Sequence, residues 1–562
     1  MRLEINQFGG MAPLVDPTAL ADNFATYAQN VRLDRGVLAP GALKLEPNPD
    51  YPDAQLSGRA VRSVAKLSDD NTRFAFGNPR GAMAFVSPVS PADTWGRVYY
   101  MGVDGPVFTT SEQYSPGGLV INPVSYRLGV PAPGAAPEVM AAPTIEHKYE
   151  EGDDNRIEVE PDYVDVAYAY SFVDRYGHES SLSLASGTAR VAYDRAFSVP
   201  VLVGAAPPTR VNIDGGFRRL YRATFDGSSS TWQFLADIPI GQTTFDDTVP
   251  VGQEGEEAVN EGWLPAPVKL RNLCLVASAF AAGYFDNYVC YSELKLPHAW
   301  PAELQYPIKY TPKGLMPLLN GVLIVTNGRP YWAEGSDPYS AIPRELPINA
   351  PCVSSESVVD MGDYAMYVSF DGLVAAGPGQ AEVITSEIVD RAYMESLVDE
   401  NCKAFAFNGR YVFSTKNGRW MGFVPKQGFV EYDFGYAPDE FSAVSFNVRD
   451  NKHFFAFSDG TVRTIDADGE ATNVQWLSKH WRTPPASFSC FRVEAYTYPV
   501  GIMVRCQYLS QEWQETPLFE VSGPHIQRLP VMTGGLWQVV IKPPQGGRVY
   551  RVILGQSGRE VQ

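Results

Sequence analysis

Six histidines and six cysteines are the side chains of this 562-residue chain best suited to chemistry, and their spacing limits what they can do. His147, His178, His298, His453, His480 and His525 stand singly, without the HExxH or HxH spacing that presents two imidazoles to one metal ion. No local pairing of a histidine with a carboxylate suggests a general base. Cys274, Cys290, Cys352, Cys402, Cys490 and Cys506 are as scattered, with no CxxC. In apolar runs such as LCLVASAF they read as buried free thiols made in a reducing cytoplasm, not as disulfides or zinc ligands.

Other chemistries find as little support. There is no Walker A sequence and no G-x-S-x-G elbow. The acidic run from Glu150 to Asp162 gathers the hard oxygens that calcium prefers, but lacks the alternate spacing and closing glutamate of an EF-hand, so a solvated loop or sandwich edge is expected. SFDGLVAAG and FSDGTVRTI share the Ser, Asp and Gly of the sialidase box S-x-D-x-G-x-T-W in the wrong spacing, and read as hairpin turns. A pair of carboxylates brought together from distant positions would suit glycan hydrolysis, which keeps a glycan hydrolase as a third functional class. The stretch Leu294 to Pro307, with Trp300 between His298 and Pro301, reads as an irregular crossing pinned by prolines, and His298 as not catalytic. The sequence predicts no catalytic residue, no cofactor-binding residue, no metal ligand and no cofactor.

Composition points the same way. Hydrophobic residues make up 45% and aromatics 12%, with 49 Gly and 45 Pro spread along the chain, as in a packed, turn-rich all-β protein. Lys plus Arg is 45 against 64 Asp plus Glu, a net charge of −19, which argues against tight nucleic-acid binding by counterion release. Such charge serves solubility, and it would also suit a conduit past which DNA slides without sticking. The start, MRLEINQFGG, has no signal-peptide core, and no apolar run reaches 18 residues, so neither secretion by a signal peptide nor a membrane anchor is expected.

The elements that carry these residues are read from periodicity. Asp16-Pro17 followed by TALADNFATYAQN predicts a capped helix of about three turns with Leu20, Phe24, Tyr27 and Ala28 on one face. Strands follow from Val31. In the second half, an apolar run, a Gly turn and a second apolar run recur four times, as VLIVTNGRPYWAEG, YAMYVSFDGLVAAG, RYVFSTKNGRWMGF and HFFAFSDGTVRTID. Their turn residues Gly328, Gly372, Gly418 and Gly460 stand 44, 46 and 42 apart. That period, with a hairpin in each unit, predicts the blades of a β-propeller. RFAFGNPRGAMAFV and RVYYMGVDGPVFTT, around Gly77, Gly81 and Gly105, and a segment around Gly283 add further blades, to about six or seven.

The predicted fold is therefore all-β. An N-terminal helix and strand over 1–57 would dock or close the ring, and the propeller would run over 58–136 and 263–471. The Pro/Ala/Gly-rich linker Tyr126 to Pro143 leads into an inserted sandwich over 144–250, which resembles a fibronectin type III module: VAYAYSFVDRYGHESS is a Tyr-rich strand ending in Gly-x-Glu-Ser, followed by Leu-Tyr-Arg in a hairpin with Asp226-Gly227 at its tip, and by a late Thr-x-x-Asp strand. A second acidic linker, VGQEGEEAVNEGWLPAP, returns to the ring. Residues 472–562 form a C-terminal β-sandwich.

Several short motifs run through most of the chain. They are Gly9-Gly10, the Asp-Pro start, Asn30-Val31-Arg32, then Gly36, Leu38, Pro40 and Gly41, Ser292-Glu293 with Pro297 to Pro301, and late Ser478, Lys479 and Trp481. Together they resemble the tail nozzle proteins of short-tailed bacteriophages, also called tail tubular protein B, although Ala39 stands where that family usually has Arg. The resemblance implies a structural virion protein, not an enzyme, assembled in the host cytoplasm. It implies a homo-hexameric ring on the tail axis below the portal and adaptor proteins, adjoining tail fibres or a spike. Such a ring retains the packaged genome and conducts double-stranded DNA by weak, sequence-independent contact, with the N-terminal elements touching the adaptor or a neighbouring subunit. A decoration or receptor-binding protein of the virion is the second class.

Overall fold

The four repeat copies are the second and third strands of four successive antiparallel sheets in the computed structural model. It describes every residue except 42–43, 60, 62, 67–71, 78–84, 87–93, 116, 152–155, 226–230, 448–451, 467–471 and 510–511. Gly372, Gly418 and Gly460 turn with φ of +131°, +74° and +91°, the left-handed region that favours glycine. Gly328 serves differently: a β-carbon there would stand 2.3 Å from the Tyr310 ring.

Among the described residues, seven sheets stand side by side as blades. Blade 1 holds Ser63–Lys66, Arg73–Phe76 and Leu119–Ile121; blade 2 holds Phe85–Val86, Val98–Gly102, Gly105–Thr109 and Tyr126–Arg127. After the insert come blade 3 (first strand Arg271–Val276), blade 4 (Pro312–Leu318), blade 5 (Val359–Asp360), blade 6 (Ala404–Phe407) and blade 7 (Phe441–Asn447). A two-faced sheet must bury both apolar faces, and each gap between neighbours is filled. Phe76 stacks on Tyr100 between blades 1 and 2; Tyr99 and Phe108 meet Leu273 and Cys290 between 2 and 3; Cys274 and Phe280 meet Leu315 and Ile324 between 3 and 4. Trp332 meets Tyr367, the Tyr411 hydroxyl of blade 6 donates to the Ser357 carbonyl beside blade 5, Phe405 meets Phe455, and Phe454 and Ala456 meet Ala75. The last of these gaps joins blade 7 to blade 1, so the ring closes. The chain is an all-β propeller.

Two blades depart from the repeat. Leu119–Ile121 returns to lie parallel beside Arg73–Phe76 after three strands of blade 2 are built, which interleaves blades 1 and 2. Blade 7 takes its outer strand from the N-terminus. The N-terminal strands are β1 (Arg2–Ile5), β2 (Ala25–Gln29), β3 (Val31–Arg32), β4 (Ala39–Pro40) and β5 (Lys44–Pro47); β5 pairs with Val462–Asp466, Leu45 opposite Ile465. Gly283 is no turn residue: it lies within Phe280–Phe285, and the chain reverses at Asp286-Asn287 instead. Gly81 and the Asp226-Gly227 tip lie outside the described residues.

The helix expected after Asp16 does not form. Asp16 caps one turn, its Oδ1 accepting the N–H of Thr18 at 2.8 Å, and the chain then extends into β2. There the backbone of ATYAQ finds partners on both sides, Gln475–Ser478 antiparallel and Glu431 of blade 6. A sheet seat flanked by two strands overrides a helical spacing of apolar residues, and Thr26 and Tyr27 favour it.

The insert packs Glu138–Val139, Phe197–Leu202, Thr144–Ile145 and Thr244–Asp247 against a sheet of Ala189–Ala192, Tyr163–Val173, Phe217–Phe225 and Trp232–Pro239. Its core is Val166, Tyr168, Tyr170, Val199, Val201 and Leu220 with their neighbours. Ser180, Ser183 and Ser186 line the edge of Tyr163–Val173 at intervals of three. Each donates its N–H to a strand carbonyl, of Phe172, Tyr170 and Tyr168 in turn, and accepts that residue's N–H on Oγ. The C-terminal unit places β1 beside Val549–Gly555 and Cys490–Ala495 in one sheet, and Gly534–Lys542 and Val500–Gln507 in the other. The second sheet runs on through Gln475–Ser478 and β2 into blade 6.

Candidate functional site

Two joints collect the residues that the short motifs single out. The first is the N-terminal strap. Gly10 lies so close to blade 6 that a β-carbon would stand 2.4 Å from the Phe429 carbonyl oxygen, and the Met11 N–H donates to that oxygen at 2.7 Å. Trp476, fully buried, donates its indole N–H to the Gly9 carbonyl at 2.8 Å. Asn30 is the centre of the joint: at φ +52° and 1% exposed, it donates from Nδ2 to the Thr472 carbonyl at 2.6 Å. Its Oδ1 accepts the Asp433 N–H at 2.9 Å, and its own carbonyl accepts from Gly41. One side chain thus ties the strap to blade 6 and to the connection entering the C-terminal unit. Ser478 accepts from Thr26 and Gln538 on its carbonyl, Lys479 pairs with Asp22 at 3.1 Å, and Trp481 lies opposite Trp537. The strap is therefore an internal stitch. Phe8, Met11, Ala25 and Ala28 are buried by this chain's own blades and sandwich.

The second joint seats the insert on blades 2 and 3. Asp174 closes the tight turn at the end of Tyr163–Val173, its Oδ1 accepting the N–H groups of Tyr176 and His178 at 2.9 and 2.8 Å. Its Oδ2 is 3.1 Å from His178 Nδ1, a local His–carboxylate pair that the sequence reading missed, although the D-R-Y-G-H turn carries it at i,i+4. His298 comes from the crossing of blade 3 and stacks on His178, ring centroids 4.4 Å apart and planes 26° from parallel. Nothing in the local sequence pairs these two histidines. Trp300, on the same crossing, is fully buried and donates from Nε1 to the Pro297 carbonyl at 2.7 Å. Arg175 forms two hydrogen bonds to Glu112 on the blade 2 side, and the Arg97 guanidinium donates to the Tyr176 carbonyl.

The remaining candidates stay apart. His147 meets Glu158 on the exposed hairpin of Tyr149–Glu151 and Arg156–Glu158, where the acidic run falls, its residues 152–155 lying outside the described residues. His453 packs among Phe405, Phe407 and Phe446, and burial pulls its pKa down to about 4. His480 stacks loosely on Trp513, and His525 is exposed. All six cysteines are free and buried; burial pushes the Cys274 and Cys290 thiols up to about 12, far from nucleophilic thiolates. In SFDGLVAAG and FSDGTVRTI, Ser369 Oγ accepts the Asp371 N–H and Asp459 Oδ1 accepts the Thr461 N–H, the bonds of tight turns. Among the described residues, no three His, Cys, Asp or Glu side chains are placed to share a metal ion, and no helix is long and apolar enough to cross a membrane.

Charge is unevenly shared. Residues 138–262 hold nine basic and 22 acidic side chains, a net of −13 out of the chain's −19. The net negative charge lies mainly on the insert, and the rest of the chain is close to neutral for its size.

No protein-family model matches the chain, and no curated protein is similar to it. Among solved structures, it is similar to BBS1N in complex with ARL6DN at 11% identity, covering 50% of this chain and 87% of that one with a TM-score of 0.26. A streptogramin B lyase follows at 9% identity, 53% and 93% coverage and a TM-score of 0.25. The N-terminal domain of Nup159 has 9% identity, 44% and 86% coverage and a TM-score of 0.23. At such values the likenesses assign no activity or partner, and the ring rests on its own sheets and interfaces.

Proposed function

We propose that this chain is a structural protein of a phage tail, one subunit of an oligomeric nozzle ring that extends the DNA channel below the portal and adaptor. The observation that carries this reading is where the recurrent motifs fall. Gly9-Gly10, Asn30, Ser478 and Lys479 meet in one joint and Pro297 to Pro301 form part of the other, so the features shared with tail nozzle proteins hold rigid units together. A subunit of a conduit has to keep its shape while a genome held under pressure pushes against it. A closed ring, stitched by its own N-terminus to a second sandwich, suits that task. In this reading the subunits form a homo-hexamer, contact tail fibres or a spike, and touch passing DNA only weakly and without sequence preference, the acidic insert adding repulsion.

The test is immunogold labelling of virions with antibody raised against residues 144–250, viewed by electron microscopy. Gold confined to one tail vertex is the expected result. Gold spread over the capsid would replace the nozzle with a decoration or receptor-binding protein, and absence from particles would point to a non-virion protein, a glycan hydrolase among the choices.

A further inference from the structure

The stacked histidines of the insert joint sit where three units meet. The Asp174–His178 turn belongs to the insert, Phe108 and Arg97 to blade 2, His298 to blade 3, and Trp263 to the linker returning from the insert. His178 and His298 are 3% and 6% exposed. Phe108 meets His178 edge-on with ring centroids 4.8 Å apart, and Trp263 meets His298 in the same way at 5.8 Å. The Nε2 of His298 is buried without a hydrogen-bond partner.

The charged groups facing this pair are few. Asp174 is the carboxylate in contact with it, and it already accepts two backbone N–H groups besides His178. Arg97, on blade 2, adds positive charge near His298. Glu112 of blade 2 is engaged with Arg175 and the Tyr176 hydroxyl. On the crossing that carries His298, Glu293 accepts from Tyr339 and Lys295 lies in a half-exposed turn. Trp263 contributes no charge.

With both imidazoles neutral, the stack is an ordinary aromatic contact. A proton on His298 places a cation in a dry site with no acceptor at Nε2, against a second imidazole and near a guanidinium. Burial, then His178 and Arg97, hold its pKa well below the usual 6.5, so the neutral form is the one that fits. The sign follows: the opened joint binds the proton at a higher pH than the closed one, and closure weakens as pH falls below about 6.5.

We propose that the His178–His298 stack makes the seat of the insert acid-labile, so that proton uptake releases the Asp174–His178 turn from blades 2 and 3 while the sandwich and the ring each stay folded. The sandwich core does not include either histidine, which lets the seat open alone.

Hydrogen exchange on the full chain, followed from about pH 7.5 to about pH 4.5 and corrected for intrinsic rates, reads this directly. Segments 174–178, 127–129 and 293–300 should lose protection together, while 164–173 and 321–333 keep theirs. His298→Phe keeps a stacked ring and removes the buried proton site, and His178→Phe keeps a stacked ring and removes the imidazole that disfavours a proton on His298. Each should shift the opening to lower pH, by about one unit for His298→Phe. Either variant suffices provided it shows wild-type protection at neutral pH. Wild-type protection that survives to the lowest pH, loss spread evenly over the blades, or loss unmoved in a properly folded variant overturns the proposal. Because the readout is a local property of one chain, these outcomes are independent of where gold labels a virion.

Discussion

Replacing Asn30 tests whether the strap joint works as described. Asn30→Ala deletes the hydrogen bonds to the Thr472 carbonyl and from the Asp433 N–H, each worth about 0.5–1.5 kcal/mol net. It also leaves a side chain without polar compensation at φ +52°, which adds about 1 kcal/mol. Asn30→Gly loses the same two bonds but carries no left-handed strain. The structure therefore orders the three chains: wild type above Gly, and Gly above Ala by about 1 kcal/mol. A whole-chain melting temperature is a poor reporter for several packed units. Hydrogen exchange in β2 and in Gln475–Ser478 reports the joint itself, because these strands pair with one another. Opening there should rise by about 2–4 kcal/mol for Ala, on the order of 30-fold or more in exchange rate. Ala and Gly chains that exchange alike, or both as slowly as wild type, would refute the account of Asn30 as a strained, doubly bonded pivot.

Inside the insert, Arg222 is fully buried between Asp247 at 2.6 Å and Glu254 at 2.5 Å, so Arg222→Met strands two carboxylates and should cost about 3–5 kcal/mol. Unchanged protection of Phe217–Phe225 would contradict this. His453, at the contact of blades 6 and 7, has its folded pKa lowered to about 4 from an ordinary 6.5. Its contribution is complete above about pH 6.5 and is lost as pH falls toward 4, by at most about 3 kcal/mol, and His453→Phe should flatten the pH dependence of exchange in 405–407 and 453–457. Thiol titration with an exposed-thiol reagent should count close to none of the six cysteines in the native chain and all six after denaturation; fast native reaction of Cys274 or Cys290 would show that their burial is wrong.

What the sequence made legible was local. The turns at Gly372, Gly418 and Gly460 need residues that tolerate positive φ, and a period of 42 to 46 residues follows from four strands and their connections. The Tyr-rich strand with its Gly-x-Glu-Ser end led to a sandwich. The failures were non-local. β2 takes its conformation from residues more than 400 positions away, so helical periodicity between Leu20 and Ala28 carried no information about it. The return of Leu119–Ile121 to blade 1 left no mark in the repeat, and His178 and His298 are 120 residues apart in sequence and touching in space. Neither joint was legible as a joint, because each is assembled from segments that only the folded ring brings together.

The seat that β5 takes in blade 7 also sets an order of events during synthesis. Lys44–Pro47 leaves the ribosome early, and its partner strand Val462–Asp466 follows more than 400 residues later. At about 5–20 residues per second that is a wait of roughly 20–80 s, during which this early strand stays without its partner. A polypeptide that stops short of Val462 cannot seat β5, whatever number of blades it has completed. The pairing thus marks a chain whose synthesis has passed blade 7 and separates it from one that stopped before it.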